Sequence, residues 1–301
     1  MPSAITPAQR IRDLLAGDGT INMPGVYDAL TARLAAEAGF EVLFVSGYSV
    51  SASRLGMPDL GYIGMADVAD TARGICAAVE TPVIVDADTG YGNALSARRT
   101  ARVLHAAGAA GIFLEDQEWP KRCGHFAGKR VVPREEWLAK LRAVVDLREE
   151  EGVDLFLVAR TDARAAVSLD EAVERACAAR DLGVDAIFVE APRSDDELRE
   201  VAERVGGAIR VANMIERGRT PLHTPLELAD LGHRLVVTPL TALFAATKAV
   251  RDALALLRAE GTMRDHLDGL VAFDAFEQVV DLPGHHDLER RYAAEGVTGG
   301  D

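Results

Sequence analysis

Asp86 and Asp88 close the apolar run 82–88, two residues apart, and Glu115 sits near the end of the next run, 111–117. Alternation along a strand would turn both aspartates to one face. Carboxylate oxygens without accompanying histidines or thiols are the ligands of Mg²⁺ or Mn²⁺ rather than of zinc. The competing reading, helix capping or solvated acids, explains one such residue better than three on neighbouring segments.

A second constellation is "KRCGH", residues 121–125, with Gly124 and Gly128 bracketing the loop as in a gate that closes over a site. Cys123 has four readings. Zinc would need more Cys or His partners than His125 alone. A nucleophile needs a positioned base, which His125 two residues away leaves open. A packing role suits neither the neighbouring cations nor the glycine. A proton donor fits best, since a thiol with a pKa near 8.5 is loaded at neutral pH. Lys121, Arg122 and His125 would stabilise the thiolate left behind. Those same cations would also partly unload the thiol, so substrate binding must arrange the loop. Arg160 can grip a carboxylate with both arms of its guanidinium, or instead pair with Glu190 or Asp162. The small residues of "VSGYSVSAS", 45–53, offer backbone N–H groups to another carboxylate.

The elements that must position these residues are eight short apolar runs: 21–28, 41–47, 82–88, 111–117, 155–163, 186–192, 209–216 and 234–241. Runs rich in Val, Ile and Phe at nearly every position are strands buried on both faces. Helical segments lie between them. Ser168 with Glu171 has capping-box spacing, Gly183 stops that helix, and Pro133 is placed as the first residue of another. Eight strand–helix repeats without a composition shift predict a single (β/α)₈ barrel over 1–301, with 258–301 as a C-terminal helical extension. A doubly wound sheet fits less well, because no G-x-G-x-x-G follows the first strand. In a barrel, chemistry belongs at the carboxyl ends of the strands. Those ends read Asp28, Ser46-Gly47, Asp86 and Asp88, Glu115-Asp116, Arg160 and Asp162, Glu190, Asn213, and Thr238 to Thr241.

Composition sets the outer bounds. Of 301 residues, 49% are hydrophobic and 27% charged, as in soluble enzymes. A net charge of −14 argues against nucleic-acid and anionic-membrane partners. No apolar run approaches about 18 residues, so no membrane span is expected. Residues 1–15 lack a signal-peptide core, which points to the cytoplasm. Cys76 and Cys177 fall in helical patterns and read as packing residues. His285 and His286 follow a Pro-Gly turn far from the strand ends and read as surface or interface residues. The stretch 273–282 reads as core or subunit interface.

The motifs "VSGYSVSASRLGMPDLGY", "DADTGYG", "EDQ…KRCGH", "ARTDA", "FVEAP" and "ANMIERGRTP", in this order, resemble the isocitrate lyase and phosphoenolpyruvate mutase superfamily. The resemblance runs from about Pro24 to Leu257. It implies a (β/α)₈ barrel, an essential Mg²⁺, a small dicarboxylate substrate, and homotetramers, dimers of dimers, that swap a C-terminal helix. It implies that Asp86 and Asp88 are metal-site acids, with Glu115 nearby through water. Ser46, Gly47 and Tyr48 match the cradle of the α-keto acid end; Gly124, Arg160, Glu190 and Asn213 match substrate contacts, and Asp59 a site acid. Cys123 matches the general acid of the lyase branch, with Lys121 and His125 beside it. The implied chemistry is retro-aldol cleavage of a malate-like substrate, with Asp59, Tyr48 or a metal-bound water open as the base.

One departure bears on the substrate. Where 2-methylisocitrate lyases, similar to this chain, carry an arginine for a third carboxylate, the matching residue is Phe244. An apolar side chain cannot pair a buried carboxylate. The expected substrate is a 2-alkylmalate such as 2,3-dimethylmalate, and Tyr48 narrows the pocket further. The alternatives are 2-methylisocitrate as the lyase substrate, a carboxyvinyl-carboxyphosphonate or phosphoenolpyruvate-type phosphorylmutase, an oxaloacetate hydrolase or decarboxylase, and a catalytically silent acid sensor.

Overall fold

The computed structural model describes residues 5–124 and 128–293. Eight parallel strands close into a barrel in sequence order: β1 (Ile21–Val26), β2 (Leu43–Val45), β3 (Val83–Asp86), β4 (Gly111–Glu115), β5 (Phe156–Thr161), β6 (Ala186–Val189), β7 (Ile209–Asn213) and β8 (Leu235–Thr238). β8 returns to β1 with Leu235 beside Ile21 and Val237 beside Met23. The eight-stranded barrel read from the apolar runs is the fold of the protein.

The strands alternate between two apolar layers. Met23, Phe44, Ile84, Phe113, Phe156, Val158, Phe188, Val211 and Val237 fill the barrel. Val26, Val45, Val85, Ile112, Leu114, Leu157 and Val189 face the surrounding helices. Each run is therefore apolar throughout, because both of its faces are buried. The helix Pro7–Ala16 sends Ala8, Ile11 and Leu15 into the same cluster as the barrel interior and shuts that end.

Helix punctuation follows the sequence closely. Ser168 accepts from Glu171 N at 3.1 Å, and Gly183 adopts φ +85° just past its helix. Pro133 is one residue off: it stands as the N-cap of the helix Arg134–Glu151, whose first turn carries Glu135 and Glu136. Asp28 at the end of β1 is a cap as well, accepting from Thr31 N at 2.7 Å. Cys76 and Cys177 are half-buried on helices and pack against the outer layer.

The chain divides into two compact units, Met1–Phe244 and Ala245–Asp301. The first holds the barrel. The second continues the helix Thr241–Glu260 and adds the helices Phe273–Val279 and Leu282–Tyr292. Among the described residues no helix is long and apolar enough to cross a membrane.

Candidate active site

Period-two alternation places the chemistry. Ser46, Asp86, Glu115, Arg160, Glu190 and Asn213 each follow an interior-facing residue by two positions: Phe44, Ile84, Phe113, Val158, Phe188 and Val211. All six therefore point inward at the carboxyl end of the barrel. The register makes Glu115 the lateral neighbour of Arg160. A cavity of about 440 Å³, its open mouth included, is lined there by Ser46, Tyr48, Asp59, Asp86, Cys123, Gly124, Arg160, Glu190 and Asn213. Its apolar lining is Phe44, Phe113, Phe188, Ile215, Val237, Pro239 and Leu240.

The remaining expected residues stand just behind this lining, except His125, which lies outside the described residues. Asp88 does not continue β3. The strand ends at Asp86, and Asp88 takes φ +48°, its N–H donating back to Asp86 Oδ1 at 3.1 Å. Gly47 opens the helix Gly47–Leu55 directly after β2, capped by Ser46. A Cβ on Gly47 would stand 3.2 Å from Asp86 Oδ2 and 3.3 Å from Asp88 Oδ1, so a larger residue there would press on the two aspartates. A helix start of this kind is the usual place for an anion.

Lys121 ties the wall together. Its ammonium lies 2.7 Å from Asp59 Oδ1 and 2.7 Å from Asp88 Oδ1, buried in both partners. Burial alone would discharge it; the carboxylates of Asp88, Asp59, Asp86 and Glu115 outweigh that and hold it well above its ordinary pKa. Asp88 is raised too, up to about 6, which favours its neutral form, because burial outweighs the attraction of Lys121. The Asp88 carboxylate also accepts from Tyr91 Oη at 3.0 Å. The main chain at Cys123 is anchored to the same wall, its N–H donating to Asp59 O at 3.2 Å.

Arg160 pairs as the competing sequence reading allowed. Its Nε donates to Asp162 Oδ2 at 3.0 Å and lies 3.3 Å from Glu115 Oε2; Nη2 lies 3.6 Å from Glu190 Oε2. The guanidinium also rests over the Phe188 ring, 5.5 Å from its centroid. Neither position contradicts a substrate grip, because the side chain lines the cavity as well. Asn213 Nδ2 donates to both Glu190 oxygens at 3.3 Å.

Among the described residues no three His, Cys, Asp or Glu side chains converge as a ready-made metal cage. The donor set nonetheless suits a cation that keeps its waters. Mg²⁺ needs only one or two protein carboxylates, and Asp86 faces the cavity. Both Glu115 oxygens are buried without a hydrogen-bond donor. Around the cavity the buried carboxylates Asp59, Asp86, Asp88, Glu115, Asp162 and Glu190 also outnumber the buried cations Lys121, Lys129 and Arg160, and Asp116 with Lys140 and Arg175 lies farther out. Surplus buried negative charge is costly unless something positive enters.

Three contributors escaped the sequence reading. The aromatic floor Phe44, Phe113 and Phe188 makes ring contacts at 4.8 and 5.7 Å; its signal was the same alternation that places the acids. Tyr91 and Lys129 join the site through contacts that no local pattern announces. Phe244, by contrast, does not line the cavity and is 42% exposed. The apolar wall comes instead from Ile215, Val237, Pro239 and Leu240.

Comparison with known proteins gives a consistent picture. Residues 11–258 match the family model described as phosphoenolpyruvate phosphomutase. The chain is 49% identical over 297 residues to the chloroplastic carboxyvinyl-carboxyphosphonate phosphorylmutase of Arabidopsis thaliana, covering 96% of this chain and 87% of that one. It is 40% identical over 286 residues to the 2,3-dimethylmalate lyase of Eubacterium barkeri, covering 95% and 98%. An oxaloacetate acetylhydrolase bound to 3,3-difluorooxalacetate superimposes with a TM-score of 0.91 at 36% identity, covering 97% and 99%. A phosphonopyruvate hydrolase in complex with oxalate and Mg²⁺ gives 0.85 at 28% identity, covering 95% and 99%.

Proposed function

The chain belongs to the phosphoenolpyruvate phosphomutase family of lyases and mutases, and on that premise we propose that it is a Mg²⁺-dependent carbon–carbon lyase. Its substrate in this reading is a 2-hydroxy dicarboxylate bearing alkyl groups, of the 2,3-dimethylmalate type. The products are an α-keto acid such as pyruvate and a second carboxylate.

One observation carries the reading. A buried thiol, Cys123, lines a cavity whose apolar wall is Ile215, Val237, Pro239 and Leu240. A thiol is a proton donor for a carbanion, and an apolar wall accepts an alkyl group but not a third carboxylate. Among the described residues that line the cavity Arg160 is the one cation, which suits two carboxylates shared with a metal better than a phosphoryl group. A trianionic substrate such as 2-methylisocitrate is disfavoured for the same reason.

Asp86, with Asp88 and Glu115 behind it, would hold Mg²⁺, which supplies Lewis-acid stabilisation of the developing oxyanion when bound; Mn²⁺ is the natural substitute. The start of the helix Gly47–Leu55, at Ser46, Gly47 and Tyr48, holds the hydroxy-acid end. Arg160, steadied by Asp162 and Glu190, takes the other carboxylate. A base removes the C2 hydroxyl proton, the C2–C3 bond breaks, and its electron pair stays on C3. Cys123 then donates its proton to C3, and Lys121, the cation two residues before it in the loop, favours the thiolate left behind. The same reading makes the enzyme a homotetramer.

The test is keto-acid release from Mg²⁺-loaded enzyme offered 2,3-dimethylmalate, 2-methylisocitrate, isocitrate and oxaloacetate. Cleavage of the alkylmalate is expected. Cys123→Ser should lower kcat by about 10²- to 10⁴-fold, the usual contribution of a positioned acid, and chelation should abolish turnover. Conversion of a phosphonate substrate seen by ³¹P resonance, with no cleavage of any malate, would replace the lyase by the phosphorylmutase.

A further inference from the structure

Cys123 is flanked by two buried lysines, and only Lys121 belongs to the constellation read from the sequence. The second, Lys129, is 1% exposed at its side chain and pairs with Asp162 Oδ1 at 2.6 Å. Its ammonium also donates to the carbonyl oxygen of Gly124, the residue after Cys123. Asp162 in turn accepts from Arg160 Nε at 3.0 Å and Nη2 at 3.3 Å. One carboxylate thus holds the substrate-facing guanidinium directly and the cysteine-bearing main chain through Lys129.

Gly124 makes the seating tight. A Cβ there would stand 2.6 Å from Glu190 Cδ and 2.8 Å from Arg160 Nη2, so the peptide rests directly on the Arg160–Glu190 pair. On the other side Cys123 N donates to Asp59 O, which belongs to the Lys121 wall. We infer that Lys129 is a positioning residue that fixes the Cys123–Gly124 peptide in register with Arg160, so that proton donor and carboxylate grip are set by one buried carboxylate, Asp162. The inference rests on the lyase reading for its catalytic meaning, but its geometry does not.

The chemistry of a buried ammonium explains the choice of residue. An ammonium has three donors on one atom and can join a carboxylate to a carbonyl. Methionine fills similar space with neither the charge nor the donors. Arginine keeps the charge and spreads its donors over a larger fork.

Iodoacetamide labelling of Cys123, read by peptide mass spectrometry in substrate-free protein, tests this without any assumption about the reaction. Labelling of a buried thiol reports how often its peptide opens. Lys129→Met is expected to speed labelling by about tenfold or more, the factor equivalent to about 1.4 kcal/mol, and Lys129→Arg to return it most of the way. Gly124→Ala, which keeps Lys129, is expected to speed labelling likewise and is the control for an unseated peptide, and Lys129→Gln replaces Lys129→Met if the latter does not fold. Labelling of Lys129→Met within about twofold of wild type, with Gly124→Ala accelerated, would overturn the inference. In active enzyme, Lys129→Met should lower kcat more than it raises KM. If wild type cleaves no 2-hydroxy dicarboxylate, the lyase reading fails, and the labelling comparison still decides the role of Lys129.

Discussion

At the scale of single residues, the site is a set of buried charges whose positions depend on one another. Tyr91 shows how far this reaches. It is not among the described residues lining the active-site cavity, yet it donates to the carboxylate that holds Lys121. Tyr91→Phe removes one hydrogen bond to a charged acceptor, a loss of about 1.5–3 kcal/mol. The expected outcome is a lower urea midpoint together with a reduced kcat, since Asp88 then holds Lys121 less firmly. A variant with the wild-type midpoint and full activity would show that the Tyr91 hydroxyl does not help to hold Asp88 against Lys121. Glu115 is the opposite case, a carboxylate pushed well above its ordinary pKa by burial, with the cation Arg160 only partly offsetting it.

At the scale of elements, alternation made most of the site legible and long-range contact made the rest invisible. The inward direction of Ser46, Asp86, Glu115, Arg160, Glu190 and Asn213 follows from counting by two along strands whose interior is apolar. The same counting put Asp88 on the face of Asp86, and it does come close to it. The route differs, because the left-handed turn at Asp88 is set by the sequence "DADTGYG" as a loop rather than a strand. Lys129 and Asp162 are 33 residues apart, and nothing in either neighbourhood names the other. Phe244 matches the arginine position in sequence, but a sequence position does not show which side of a helix faces a cavity.

An element-scale prediction concerns His233, which is buried between β7 and the helix Asp195–Arg204. Its ring nitrogens lie 3.3 Å from Val211 O and 3.2 Å from Leu198 O. Burial lowers its pKa from the ordinary value despite those two carbonyls. The unfolded chain therefore takes up a proton below about pH 6.5 that the folded chain refuses. Stability should be full above that pH and decline as pH falls toward the depressed folded value. Urea midpoints measured across this range should fall in wild type and fall less in His233→Gln; equal slopes would remove His233 from the account.

At the scale of the whole molecule, the two compact units raise separate questions. The unit Ala245–Asp301 exposes Val250, Leu254, Leu257, Phe273 and Phe276. That is more apolar surface than a solitary helical unit usually leaves in water. A homotetramer would cover it, and light scattering behind size exclusion should give four times the chain mass. A monomeric mass would leave the apolar residues without a purpose. Charge acts at this scale too: at −14 the molecule as a whole repels a dianion. Substrate capture should therefore speed up with added salt, the reverse of a cationic enzyme.

The helix Pro7–Ala16 shuts one end of the barrel, and the rings of Phe44, Phe113 and Phe188 pave the floor above it. The cavity is thus a blind well. If the enzyme is the proposed lyase, its two fragments share a single exit, and a fragment lying nearer the mouth leaves before one seated against Ser46 and Asp86. Departure in a fixed order has a kinetic consequence. The keto acid, last out, should compete with substrate for free enzyme, whereas the other carboxylate should inhibit noncompetitively. Competitive inhibition by both would mean that the two fragments depart at random, and that the well has a second way out.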